Sequence, residues 1–306
     1  MVERAEVARK ALSIAIALTV LGTVATLLPV WPLVLFEHFH VQLAIGGALV
    51  ACAALALRHH QTDAVAIATL VTLIAIVPDL ASPRRDVPPG TPVRLLSINV
   101  LTANSEHEKV ARVIEAERPD VIALVEVSQT WLDALAPSVE GYARIVAPRD
   151  DNFGVALFVR GEMHGEVRAL ANGTPNIFAD VRVGATAFRI VVVHPVPPMS
   201  SALHATLMGY FVELGALVRG DPRVVVAGDF NATPWSRTFA TMKSASGLCD
   251  SRAGFGFQGT RPAGGWLLRI PIDHVLASCA IGVRDHRIGP DVGSDHLPVV
   301  VDLVVP

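Results

Sequence analysis

Several apolar runs in the C-terminal two-thirds of the chain carry a carboxylate, an amide or an imidazole at one end. LLSINV carries Asn99, VIALVEV carries Glu126, IVVVHP carries His194, and VVVAGDFNATP carries Asp229 and Asn231. Further on, IDHVLAS carries Asp273 and GSDHLPV carries Asp295 and His296. Oxygen ligands without a cysteine cage suit Mg²⁺ or Mn²⁺, which bind through a few carboxylates and leave room for a phosphate substrate. Hydrolysis of a phosphate ester needs a cation to neutralise phosphate oxygens, a base for water, and donors for the charge that develops. Carboxylates, amides and two histidines supply that set, provided the strands converge at one sheet edge.

Each residue also has a plainer reading. Asn99 alone suits a strand-end turn, and Asp229 with Asn231 suits an Asx-turn without chemistry. His194, before Pro195, reads either as a catalytic imidazole or as a satisfied core histidine. Glu126 follows an apolar run, where a carboxylate is costly unless paired or bound to metal. Asn152 and Gly154, in DDNFGVALF, read as a substrate-binding border of a site or as a polar hairpin turn. Trp266, Leu267 and Leu268 are either core or a rim that touches lipid or substrate.

The elements that must position these groups follow from hydrophobic periodicity. Strands are expected over residues 93–100, 121–125, 153–160, 177–183, 187–194, 223–227, 272–277 and 297–304, with helices over 106–117 and 201–219. Early strands alternate with helices, and the middle ones lie close enough in sequence to pair antiparallel. That mixture predicts sheets with helices packed outside, not an all-parallel doubly wound fold. A domain over residues 93–306, roughly 215 residues long, is large enough to bury a sizeable core.

The N-terminal third obeys a different solvent. Mean hydropathy for the whole chain is +0.48, and the apolar excess lies before Pro83. Residues 11–36 and 41–57 carry uncharged runs long enough to be read as membrane spans, apart from Glu37 to His40 between them. Residues 64–78 form a third, shorter run, bracketed by Asp63 and Asp79. Residues 1–82 are therefore expected to be an anchor of about three transmembrane helices, and residues 83–92, with four prolines, an extended linker. Arg4, Arg9 and Lys10 bias the N-terminus to the cytoplasm. Three crossings then leave the catalytic domain extracytoplasmic, on a multi-pass integral membrane protein, although Arg84 and Arg85 oppose that orientation. Ionisable groups cluster at span ends, which argues against transport.

Six Lys+Arg and six Asp+Glu precede Gly90, so the net −3 of the chain resides behind it. A nucleic-acid-binding domain usually presents a basic face, and no such global footprint exists here. Three cysteines are too few for a disulfide scaffold. Cys249 and Cys279 are expected to be unpaired structural residues, with pairing open in an oxidising compartment.

In order and local sequence these segments resemble the endonuclease/exonuclease/phosphatase superfamily, which includes deoxyribonuclease I, abasic-site endonucleases and bacterial sphingomyelinases. GDFN and SDH are the most specific parts, and the resemblance covers essentially residues 93–304. It implies an α/β (α+β) domain of two packed mixed β-sheets flanked by helices, a four-layer sandwich. It further implies that Glu126 is the central metal ligand, helped by Asn99 and Asp295, with Mg²⁺ or Mn²⁺ as cofactor. Asp229 and Asn231 would orient the attacking water and bind the scissile phosphate. His296 would act as base or phosphate contact, its tautomer fixed by Asp273, and His194 would serve the leaving-group side. Members without that second histidine use a tyrosine, and Tyr142 and Tyr210 lie in no such motif. The implied activity is metal-dependent hydrolysis of a phosphodiester or phosphomonoester from nucleic acid, a phospholipid head group or another phosphodiester. No protein partner is evident. A catalytically silent membrane-tethered scaffold is the alternative, which the filled polar positions weigh against.

Overall fold

The computed structural model describes residues 2–306, with side chains described from residue 6. Arg4, counted in the basic tail, lies outside the residues whose side chains are described. The chain divides into two compact units, one of residues 1–82 with Trp235–Arg237, and one holding the remainder from Pro83.

In the first unit α1 (Val2–Leu27), α2 (His40–Ala56) and α3 (Thr62–Leu80) contact one another. The first expected span is shorter than the uncharged run. Pro29 and Pro32 lack amide protons to continue the helix, α1 stops at Leu27, and a 3-10 turn, Leu33–Phe39, leads into α2. The third is longer than its uncharged core, 19 residues. Gly47 lets α1, α2 and α3 approach closely: a Cβ there would meet Thr69 Oγ1 at 2.5 Å and Thr19 Cγ2 at 3.2 Å. Ile14, Leu18, Leu21, Leu49, Leu55 and Ile74 point outward, an exposed apolar surface that water does not favour. By length and composition Glu6–Leu27, Leu33–Ala56 and Thr62–Leu80 are long and apolar enough to cross a membrane.

The second unit begins with residues 83–90, the segment expected to be an extended linker, which runs along the domain. Arg84 Nε donates to the Gly254 carbonyl (3.3 Å), and its guanidinium sits 4.4 Å from the Phe255 ring centre. The elements that follow are β1 (Thr91–Asn99), α4 (His107–Glu117), β2 (Val121–Val125), α5 (Gln129–Leu135), β3 (Ala143–Ala147), β4 (Val155–Val159), β5 (Glu162–Ala169), β6 (Pro175–Val183) and β7 (Thr186–Val193). After them come α6 (Ser201–Val218), β8 (Val224–Asp229), α7 (Arg237–Ser246), β9 (Cys249–Asp250), β10 (Asp273–Ala277), β11 (Gly282–Ile288) and β12 (Val299–Val305).

Two mixed six-stranded sheets result, ordered β11-β12-β1-β2-β4-β3 and β5-β6-β7-β8-β10-β9. Within them β1 and β2 are parallel, as are β7 and β8, and the other pairings are antiparallel. Strand alternation splits each strand between two cores. Leu95, Ala123, Leu157, Ile190, Val225 and Val275 meet between the sheets. Leu96, Ile98, Ile122 and Leu124 face outward onto Val110, Ile114 and Trp131 of α4 and α5. On the other sheet Val191, Val224 and Val226 face Leu207, Phe211, Leu214 and Phe239 of α6 and α7. The expected four-layer sandwich is therefore present.

Helix α6 is itself long and apolar enough for a span, yet Tyr210, Phe211 and Leu214 are buried in the second outer core, so it is a domain helix. Ser200 caps it, its Oγ accepting from Leu203 N at 3.1 Å. Cys249 and Cys279, expected to be unpaired, form a disulfide, their Cα atoms 5.2 Å apart. The β9 to β10 pairing, Ala277 opposite Cys249, brings the two within reach.

Candidate active site

The parallel pair β1 and β2 end side by side, with Asn99 opposite Val125, so Asn99 and Glu126 emerge at one edge. On the second sheet β7 and β8 run parallel, with Val193 opposite Gly228, and Asp273 of β10 pairs Asp229. His194 therefore leaves β7 beside Asp229 and Asp273. Gly228 permits the approach, since a Cβ there would sit 2.0 Å from the Val193 carbonyl oxygen. The segment after β11 closes the site: Ser294 Oγ donates to the Asn99 carbonyl (2.8 Å) and accepts from His296 N (3.1 Å).

Asn99 Nδ2 donates to Glu126 Oε1 (2.8 Å) and Asp229 Oδ2 (3.2 Å), while its Oδ1 accepts from Leu101 N. Its amide thus ties two carboxylates together. His194 Nε2 lies 3.9 Å from Glu126 Oε1 and 3.6 Å from Asp229 Oδ2. His296 Nδ1 is 2.8 Å from Asp273 Oδ2, and its Nε2 is 3.7 Å from Asp229 Oδ2 and 3.9 Å from Asp295 Oδ1. Asp229 Oδ1 accepts from Asn231 N (2.8 Å), the Asx-turn geometry, while Asn231 Nδ2 donates to the Pro195 carbonyl (3.0 Å).

Burial sets the electrostatics. It raises the Glu126 carboxyl, and it raises Asp229, which Asp273 pushes further. It pulls His194 down to about 4 against the opposite pull of Glu126. His296 goes the other way, to about 9: burial opposes its charge, but Asp273 and Asp229 outweigh it. Asp273 correspondingly lies below the usual carboxylate range despite burial, because His296 faces it.

The fit to a divalent cation rests on donors left over. Glu126 Oε2 and Asp295 Oδ1 are buried oxygens without a hydrogen-bond partner, and such carboxylate atoms are costly unless a cation or donor meets them. Asp229, Asp273 and His296 also offer ligand atoms within 4.8 Å of one another. Within that group Asp273 Oδ2 is already engaged by His296 Nδ1 at 2.8 Å. Glu126 has φ 61° and Asn231 φ 50°, left-handed conformations that store strain, more notably for a glutamate.

The expected residues Asn99, Glu126, His194, Asp229, Asp273, Asp295 and His296 come together. Asn231 contributes its backbone, with its side chain turned to Pro195. Asn152 is at the margin: its side chain is exposed, while the next residue, Phe153, sets its ring 5.4 Å from that of His194. Gly154 beside them is needed for closeness, because a Cβ would meet the Val127 carbonyl oxygen at 1.8 Å. Tyr142 bonds the Pro119 carbonyl and Tyr210 bonds Asn176, so neither serves the site. Sequence reading passed over Thr260, whose Oγ1 accepts from Ile272 N and Asp273 N (3.3 Å each), and Arg261, whose Nε donates to Asp295 Oδ2 at 3.0 Å.

The family model described as Endonuclease/Exonuclease/phosphatase family matches residues 96–296. The fold is similar to that of an endonuclease/exonuclease/phosphatase family protein from Bacteroides thetaiotaomicron (TM-score 0.61, 17% identity, 72% of this chain and 100% of that one). It is also similar to a mannosyl-6-phosphatase of the same species (0.56, 18%, 69% and 99%) and to a Neisseria 3′ phosphatase bound to a product DNA hairpin (0.56, 21%, 68% and 98%). At these identities the likeness is one of fold. No curated protein matches the sequence.

Proposed function

The chain belongs to the Endonuclease/Exonuclease/phosphatase family, hydrolases of phosphate esters, and we propose that it is a membrane-tethered, Mg²⁺- or Mn²⁺-dependent phosphodiesterase or phosphatase. The observation that carries this reading is the unpartnered Glu126 Oε2, set among Asn99, Asp229 and two histidines of opposite charge preference.

Glu126, with Asp295 and the Asn99 and Asp229 pair, would hold the cation, which when bound neutralises charge on the phosphate. Asp229, its carboxyl raised by burial and by Asp273, orients the attacking water and takes its proton. Asp273 fixes His296 with Nε2 toward Asp229, and that nitrogen donates to a phosphate oxygen. His194, whose Nε2 lies 3.6 Å from Asp229 Oδ2, serves the leaving group. Asn231 N keeps the Asp229 carboxylate in one rotamer.

Residues 1–82 serve as a multi-pass anchor that holds the domain outside the cytoplasm. The basic tail supports this orientation. So does the Cys249 to Cys279 disulfide, since such bonds persist in oxidising compartments. A reporter that matures only in the cytoplasm, fused after Pro306, should stay dark, and a bright one would reverse the orientation.

The test of activity uses the full chain in detergent, assayed against bis(p-nitrophenyl) phosphate, DNA, RNA and phospholipids. Turnover should require Mg²⁺ or Mn²⁺, vanish in EDTA and return with added metal. Full turnover in EDTA would remove the cation from the mechanism.

A further inference from the structure

The loop joining Thr260 to Ile272 carries three consecutive large apolar side chains that are well exposed: Trp266, Leu267 and Leu268 are 73%, 63% and 61% exposed. Ordinary exposed leucines need no explanation, but three consecutive large ones led by a tryptophan do. They are held out, not loosely dangling. Arg261 and Ile270 close the base through N to O bonds of 3.0 and 2.6 Å, Leu268 N donates to Gly265 O at 3.0 Å, and Arg269 Nε donates to Pro262 O at 3.2 Å. The same base reaches the site, because Ala263 N donates to Asp295 O at 2.8 Å.

We propose that the Trp266–Leu268 turn docks the catalytic domain onto a phospholipid bilayer, so that the site takes phosphate esters of lipid head groups presented at that surface. The substrate half rests on the phosphoesterase reading above. Two observations select lipid as the occupant. Tryptophan with leucine beside arginine is the composition that settles at the membrane interface. Only residues 81–83 separate α3, long and apolar enough to span, from Arg84, which lies on Gly254 and Phe255. Two residues beyond Phe255, Phe257 is 40% exposed, and Phe257 and Arg269 both border Gly259 at the root of the turn.

Docking is read in the full chain carrying Cys52→Ser and Leu267→Cys, labelled with an environment-sensitive fluorophore and reconstituted in phosphatidylcholine and phosphatidylglycerol vesicles. Brominated acyl chains should quench that label strongly and leave a reference label at Asn172→Cys bright. Absent quenching at 267, or equal quenching at 172, overturns docking. Emission that follows the protein-to-lipid ratio instead assigns the turn to a second copy of the chain and also overturns it.

The substrate half is read in Trp266→Ser/Leu267→Ser/Leu268→Ser, whose changes touch no core. Its turnover of bis(p-nitrophenyl) phosphate should equal wild type, while turnover of vesicle phospholipid should fall at least ~tenfold, as expected when binding scales with buried apolar area. An equal rate on vesicles overturns the substrate half. If the wild-type chain hydrolyses neither compound, the phosphoesterase reading fails with the substrate half, and quenching still decides docking by itself.

Discussion

His296 Nδ1 lies 2.8 Å from Asp273 Oδ2 inside the domain, which leaves His296 Nε2 as the ring nitrogen facing Asp229. The pair spans two sheets, since Asp273 opens β10 and His296 precedes β12. Glu126→Gln, Asp229→Asn and His296→Ala should each lower kcat by ~100-fold or more with the fold retained, the usual loss for one preorganised proton-transfer or charge-stabilising group. Asp273→Asn should act in the same direction through His296. Asn172→Ala, in the β5 to β6 turn, serves as control. Near-wild-type turnover in any of the first three would return that residue to a structural role.

Glu126 combines a left-handed backbone with a buried carboxylate oxygen that has no partner. Glu126→Gly removes both costs, each on the order of 1 kcal/mol or more. The variant should melt at or above the wild-type temperature in metal-free buffer while its turnover disappears. A clear drop in melting temperature would mean that the glutamate stabilises the metal-free fold.

Stability should fall in acid through His286. Burial holds its imidazole down to about 3, with Arg252 and His274 assisting and Asp250 opposing, while Ser251 Oγ meets Nδ1 at 2.9 Å. The unfolded chain takes up this proton near the ordinary histidine value of 6.5, so below that pH it binds more protons than the native state. Stability is therefore complete above 6.5 and declines as pH falls toward 3. Asp250 adds in the same sense: burial would raise it, but Arg252 outweighs burial and holds it low, so its contribution also fades in acid. Melting of the full chain in detergent should lose on the order of 2 kcal/mol through His286 between about pH 7 and pH 4.5. His286→Gln should flatten that decline, and an unchanged pH slope would show that His286 is not held neutral.

The disulfide closes a sequence separation of 30 residues. Chain entropy then assigns it roughly 3.6 kcal/mol. Cys249→Ala/Cys279→Ala should lower the denaturant midpoint accordingly, and dithiothreitol should lower the wild-type midpoint but not that of the double variant. Equal sensitivity of both proteins to reductant would show that the bond contributes nothing.

Legibility in the sequence tracked the local signal. Strands β2, β8 and β12 are apolar runs buried on both faces, so composition reveals them. Strand β5, EMHGEVRA, is an edge strand with mostly exposed side chains, and only its pairing with β6 makes it a strand. Helix α7, RTFATMKSAS, has poor intrinsic propensity and forms because Phe239 and Met242 are buried. In the site, Glu126 and Asp229 were visible as carboxylates at the ends of apolar runs. Thr260 and Arg261 were not, since their roles rest on contacts with Asp273 and Asp295 made only after folding. The cysteine pairing was hidden for the same reason.

Strand β1 lies between β2 and β12, with Thr91 opposite Val305. On the ribosome β1 is made early and its β12 neighbour some 200 residues later, so one edge of β1 stays open through most of translation. Asn99 reaches the site from that strand, and His296 precedes the strand that completes it. A nascent chain therefore cannot assemble its hydrolytic centre before His296 and β12 have been made. If the domain is exported, it crosses the membrane before it can act, and the cytoplasm is never exposed to a working phosphoesterase.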